Sequence, residues 1–302
     1  MSFAVTDVAS TIADRQAGAR RRAFFGCAAL LAVAGAASAV SAAPATSSQL
    51  APHRAVYDIT LARTSTSAGI TQLSGRMVYE LKGNACEGYE QTMRFVTRTL
   101  NSDGRPSITD LRSRFTEDAA AANFKFDSSQ YRNEQLAETA AGQAKRRAGG
   151  ERGIAVDIRK PDKRTLNFDA PAMFPVQHSR AMLELALKGT RIFTADLYDG
   201  SEKGAKLFST TAFIGEPLAA GHNKTLPTAQ NAEALDTLKA WPVSLSYFDA
   251  KAGKADAVPS YELAFLFFEN GVSRKLTIDY GEFAIRGQLT ELTMLAAGKC
   301  DK

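Results

Sequence analysis

The chain has 302 residues and a formal charge of +5 at pH 7, but a net two of those positive charges lie in residues 1–42, so the basic balance belongs in part to a leader. No phosphate-loop glycine pattern, paired C-x-x-C or H-E-x-x-H occurs, so nothing points to a nucleotide, metal or other cofactor. No second hydrophobic segment follows the leader, which argues against a stable membrane anchor in the mature form, and the remaining residues suit one large β domain or two smaller ones.

The leader comes first. Arg20-Arg21-Arg22 precede an apolar run from Ala23 to Gly35, and Ala37-Ser38-Ala39 and Val40-Ser41-Ala42 each offer a small-residue cleavage site. This pattern predicts a cleaved signal peptide over residues 1–42 and a single β-rich domain over 43–302. Arg21-Arg22-Ala23-Phe24-Phe25 also resembles a twin-arginine motif, so the general and twin-arginine export routes both stay open. Export makes nucleic acid a poor partner. It also removes Cys27, which leaves Cys86 and Cys300 as the one possible intramolecular pair; in an oxidising compartment they are expected to form a disulfide, the alternative being two separate thiols. Without that bond the tail Gly298-Lys299-Cys300-Asp301-Lys302 would be free to fray.

From residue 53 onward the pattern is that of strands. Apolar residues alternate with polar ones over 53–61 and 73–82, strands follow over 89–100 and 108–115 around the turn Asn101-Ser102-Asp103-Gly104, and shorter ones over 123–127, 130–136, 153–159 and 164–168. Residues 139–150, with Lys145-Arg146-Arg147 and Gly149-Gly150, read as an exposed turn. Together with the arginines between Arg94 and Arg114 they could form a basic face for anionic lipid or lipopolysaccharide, although arginines alternating with apolar residues are ordinarily the solvated side of strands. One helix is predicted over 176–188, where Val176, Ser179, Met182, Leu183, Ala186 and Leu187 form a stripe between Pro175 and Gly189.

After the helix a hairpin joins 191–198 to 206–214 through Asp199-Gly200-Ser201-Glu202-Lys203-Gly204. Asp199 and Gly200 shape that turn. Asp199 and Lys203 stand where G-x-S-x-G requires glycine, so Ser201 is a weak nucleophile candidate, with His178 or a nearby Asp as its base. His53, His178 and His222 are too scattered for a metal site. Residues 218–234 form a loop long enough to be functional or mobile.

The last quarter carries the clearest local signal. A strand over 241–248 leads to Tyr261, Leu263, Phe265 and Phe267, which alternate with Glu262, Ala264, Leu266 and Phe268; then Asn270-Gly271 marks a hairpin with a type I′ turn, and 272–280 and 283–289 fold back in succession. The strand over 261–268 is apolar on both faces, Glu262 aside. Either it is a central strand covered twice, or Leu263, Phe265, Phe267, Leu266 and Phe268 line an apolar groove for an acyl chain or peptide. A dozen or more short strands and one helix point to a mainly β fold, a many-stranded antiparallel curled sheet or open barrel with the helix packed on it.

The chain resembles the exported cell-envelope integrity family EipB. The residues that carry the resemblance are Leu197-Tyr198-Asp199-Gly200-Ser201 followed by Gly204-Ala205-Lys206, Phe213-Ile214-Gly215, Trp241-Pro242-Val243 leading to Tyr247-Phe248-Asp249, and Asn270-Gly271-Val272-Ser273-Arg274 leading to Asp279-Tyr280-Gly281. His53 to Tyr57, Cys86 and Cys300 also match. The resemblance implies a periplasmic β-spiral wound around a helix and tied by a Cys86–Cys300 disulfide, similar in shape to the LolA and LolB lipoprotein carriers, with no catalytic residues. The expectation is a non-enzymatic periplasmic protein that maintains the envelope by binding an apolar, lipid- or lipoprotein-like ligand or an envelope protein partner. The alternative is an envelope hydrolase using Ser201.

Overall fold

The computed structural model describes residues 49–147, 152–251, 258–298 and 300; the predicted signal peptide lies outside them. Eight strands lead from the start to mid-chain: β1 (His53–Thr64), β2 (Ile70–Asn84), β3 (Gly88–Asn101), β4 (Pro106–Glu117), β5 (Asn123–Arg132), β6 (Gln135–Arg146), β7 (Ile154–Lys160) and β8 (Arg164–Phe168). The two-residue β9 (Ala172–Met173), the helix α1 (Pro175–Leu187), β10 (Ile192–Leu197) and β11 (Phe208–Ile214) follow. The chain closes with β12 (Ala240–Asp249), β13 (Tyr261–Phe268), β14 (Ser273–Asp279) and β15 (Phe283–Met294).

All fifteen strands form one sheet. Its order runs from β8 back to β1, then β15 back to β9, and every described neighbour pair is antiparallel except β9 with β10. The two ends of the chain therefore meet in the middle of the sheet, where β1 pairs with β15 from His53–Met294 to Thr64–Phe283. The middle of the chain supplies both edges. Residues 169–171 alone join β8 to β9, a span of about 14 Å at most, so the sheet must curl until its edges nearly touch. The result is a nearly closed barrel-like sheet, as the alternation predicts.

α1 fills its interior. Pro175 starts the helix, where a missing N–H costs nothing, and Gly189 (φ 76°) ends it with its amide on the Ala186 carbonyl. Val176, His178, Ser179, Met182, Leu183 and Ala186 are buried. The main core joins this stripe to inward residues of β1–β3 and β10–β15. A second core closes the seam between the two ends of the sheet: Phe115, Phe124, Phe126 and Val156 from one side meet Phe174 and Tyr198 from the other. There the Phe124 ring stacks on Phe174 at 5.2 Å and meets Tyr198 edge-on at 6.1 Å.

Two local expectations are corrected. Residues 139–146 are not an exposed turn but most of β6, buried at Ala140, Ala141 and Ala144; the turn is Asn133-Glu134, both at positive φ. Small residues hid this strand. They are small because the seam is tight: a Cβ on Gly142 would lie 2.7 Å from Cζ of Phe126. The Asn270-Gly271 hairpin is not type I′ either. Gly271 alone has positive φ (87°), with its amide on the Phe268 carbonyl and the Phe268 amide on Val272, so a three-residue loop with its glycine left-handed joins β13 to β14. The loop expected over 218–234 runs into 3-10 turns at His222–Thr225 and Ala232–Leu235, and the connection buries Asn223, Ala232 and Leu235.

Candidate functional site

The five residues of the expected groove are all buried. Leu263, Phe267 and Phe268 are 0% exposed and Phe265 and Leu266 are 4%, so no space the size of a water molecule adjoins most of their surface. Both faces of β13 are covered. A bulge in β14 opposite Ala264–Leu266, with Lys275 at φ 54°, shifts the register, and Leu226, Ala229, Ala232, Leu235 and Leu238 of the segment between β11 and β12 pack on the same core. Leu263, Phe265 and Phe267 face the barrel interior, and Leu266 and Phe268 lie buried on the opposite face.

Arg274 holds that segment. Only 2% exposed, its guanidinium donates to Oδ1 of Asn223 and to the Pro227 carbonyl (2.5 Å), while the Asn223 amide donates to the Ala232 carbonyl (2.8 Å) and the Asp236 carboxylate (2.7 Å). Sequence reasoning passed over this residue. The signal was an arginine of the same sequence parity as Val272 and Leu276, but the bulge at Lys275 sets Arg274 opposite Leu266, on the outer face of the sheet that this segment covers.

The structure brings Ser201 to Asp199 and gives His178 another partner. The Ser201 hydroxyl donates to Oδ1 of Asp199 at 2.7 Å and its amide donates to the same oxygen at 3.0 Å; both residues are buried. Burial pushes the Asp199 carboxyl up to about 6. His178 shares a 3.0 Å hydrogen bond with the Thr210 hydroxyl, which itself donates to the Ala195 carbonyl, so the imidazole donates through Nε2 and Nδ1 is bare. Burial pushes its pKa down to about 3. Gly200 (φ 75°) and Gly204 (φ 71°) of this turn lie directly under the Phe126 ring, which makes the turn part of the seam.

Glu117 and Arg146 join the seam to the helix. The Glu117 carboxylate accepts the amides of Val176 and Gln177, both at 2.8 Å, satisfying two of the free donors at the start of α1. Arg146 donates to the carbonyls of Ala121 and Ala172 and to Oε1 of Gln177, and lies 5.0 Å from the Phe174 ring centre. The arginines of the expected basic face are therefore largely engaged. Arg94 and Arg112 share Asp110, Arg114 pairs with Glu90, and Arg147 pairs with Asp169. Cys86 and Cys300 are disulfide-bonded.

One open strand edge lies beside exposed apolar side chains. β9 covers only Asp196 and Leu197 on the outer side of β10, because the chain leaves that edge at Pro171, and no strand among the described residues pairs there with 192–195. Beside this edge Ile192 and Phe213 are cross-strand partners with 55% and 56% of their surfaces exposed, and Leu187 at the end of α1 is 52% exposed. A cleft of about 280 Å³ runs from Leu187 past Arg191 and Ile214 to Trp241. Among the described residues no cluster of His, Cys, Asp or Glu side chains could hold a metal ion, and no helix is long and apolar enough to cross a membrane.

Comparison with known proteins turns this architecture into a relationship, since the family model for EipB-like proteins matches residues 44–296. The chain belongs to the EipB-like family. It is 36% identical over 266 residues to the cell envelope integrity protein EipB of Brucella abortus, an alignment that covers 88% of this chain and 90% of that one. Among solved structures it is similar to a β-barrel-like protein of a domain of unknown function from Brucella abortus, with a TM-score of 0.73 and 33% identity over 82% of this chain and 99% of that one. As an EipB-like chain it carries the barrel-like sheet of that protein, with α1, Phe265 and Phe267 in its interior.

Proposed function

We propose that this EipB-like chain maintains the integrity of the cell envelope as a non-enzymatic periplasmic protein, and that it does so by docking on an envelope protein partner. The envelope role follows the name of its Brucella relative. Export by a cleaved signal peptide over residues 1–42 fits a family match that begins at residue 44. A docking role is favoured over an apolar-ligand carrier because the aromatic side chains that would line a carrier's cleft fill the core. A hydrolase is disfavoured because the Ser201 hydroxyl is buried and spent on Asp199.

The observation that carries the docking reading is the open edge of β10 beside exposed Ile192 and Phe213. Unpaired strand backbone next to apolar side chains is what strand addition uses, with main-chain bonds for affinity and alternate side chains for selection. The test is complementation. In cells that lack the chain, a variant with Ile192→Glu and Phe213→Glu should accumulate folded and disulfide-bonded yet fail to restore resistance to detergent. Full restoration would overturn the docking surface, and a stoichiometric lipid retained in native mass spectrometry would replace docking with carriage.

A further inference from the structure

A cleft of about 730 Å³ lies elsewhere, over one end of β2–β6. Strand register sets its floor. Glu90, Thr116, Lys125 and Gln143 are successive cross-strand neighbours, and Asn123 lies opposite Lys145 one pair further along β5 and β6. Lys125 and Lys145 thus occupy diagonal corners of one four-residue block, with the amides of Gln143 and Asn123 at the other two. Diagonal neighbours on one face of a sheet are within reach of long side chains, so both ammonium groups can converge on one small ligand.

What the fold has already used decides the ligand. Every carboxylate in the cleft has a partner: Glu90 holds Arg114, Glu117 accepts the first amides of α1, Asp118 accepts the Ala122 amide and the Asn123 side chain, and Glu87 accepts the Asn84 amide. The donors are left over. Lys125 and Lys145 have no ion-pair or hydrogen-bond partner among the described residues, and neither do the Gln143 and Thr116 side chains. Lys82, on the rim, is held by Glu80.

We propose that this cleft binds a phosphoryl group, with Lys125 and Lys145 as its charged donors and Gln143 and Thr116 beside them. A phosphoryl group brings a double charge and three strong acceptor oxygens to a site offering two ammonium groups, an amide and a hydroxyl, whereas a carboxylate offers two oxygens and one charge. The cleft is far larger than a bare phosphate ion. The remaining space fits the sugar or glycerol that would carry the group, so a soluble phosphosugar and a lipid headgroup share the required chemistry. This site is independent of the docking edge on β10.

The test uses the mature, disulfide-bonded protein labelled with ¹⁵N and titrated with inorganic phosphate, with glucose 6-phosphate, and with vesicles of phosphatidylcholine with or without one quarter phosphatidylglycerol. The expected result is saturable shifts at the amides of Lys125, Gln143 and Lys145, and affinity weaker by at least about tenfold in a Lys125→Gln, Lys145→Gln variant. Lys163→Gln, at the β7–β8 turn, should leave the affinity unchanged, and both variants should keep the wild-type thermal midpoint. Shifts with glucose 6-phosphate but not with vesicles assign a soluble ligand; shifts with phosphatidylglycerol vesicles assign a headgroup. No saturable shift with any probe, or equal affinity in the double variant, would overturn the site.

Discussion

Arg274 shows how one buried charge can hold a long connection in place. A buried guanidinium beside Leu266 is tolerated only if its donors are used, and they go to Asn223 and Pro227, so the segment between β11 and β12 is held against the outer face of the barrel. Arg274→Ala should lower stability by about 3 kcal/mol through lost bonds to a charged donor and the space left behind. Amide exchange should rise first in 222–236; exchange rising evenly over the sheet would remove this role. Asp199 makes a different prediction. Its carboxyl pKa is raised by burial from 3.8 to about 6, so the fold favours the neutral acid, and that contribution is complete below pH 4 and lost as pH rises through 6. Asp199→Asn keeps an acceptor for Ser201 and cannot ionise. Its stability relative to wild type should therefore rise by roughly 2–3 kcal/mol between pH 4 and 7.5 in urea titrations, whereas a difference independent of pH would place the ionised form in the native turn. Of these two residues the turn around Asp199 was legible from its composition, and Arg274 was legible only to a reading that asked why a charge shared the parity of the core.

Among the elements, the strands that read most clearly were those with large alternating side chains and short connections, because alternation over a half-buried strand needs only local information. β6 failed that reading because its buried side is alanine and glycine. The reason lies on another strand: Phe126 of β5 fills the space over Gly142, Gly200 and Gly204, so the small residues are complements of one ring and carry no period of their own. The type of the β13–β14 hairpin was missed for a similar reason, since Leu50 packs against Gly271 and a Cβ there would lie 2.7 Å from its Cδ2. The seam predicts its own energetics. Phe124→Ala should cost about 3–5 kcal/mol, since Phe124 is buried against Phe115, Phe126, Phe174 and Tyr198. Glu117→Ala strands a buried and a half-buried amide of α1 and should cost about 2 kcal/mol, with Glu117→Gln recovering part of it. Denaturant midpoints measure both, and a Glu117→Ala variant as stable as wild type would mean that the helix begins without this cap.

On the scale of the whole molecule one feature of the topology stands out: the first and last strands lie at the centre of the sheet and the middle strands form its edges. Pairing of β1 with β15 joins residues more than 200 apart, a closure that no local pattern encodes. The disulfide acts at that closure. Cys86 lies in the β2–β3 turn, Cys300 follows β15, and the amide of Leu295 already donates to the Pro52 carbonyl, so the bond fastens the final strand to the hairpin beside its partner. A covalent link across 214 residues of sequence removes loop entropy from the unfolded chain worth about 5 kcal/mol in the entropic model. The native closure is short-range in space, so little of that should be returned as strain. Cys86→Ser with Cys300→Ser should accordingly lower global stability by several kcal/mol, with all probes of unfolding shifting together, because opening the β1–β15 pair separates the two halves of the sheet that share α1. Fraying confined to residues 295–300, with an unchanged midpoint, would instead show that the eleven paired positions of β1 and β15 close the barrel unaided.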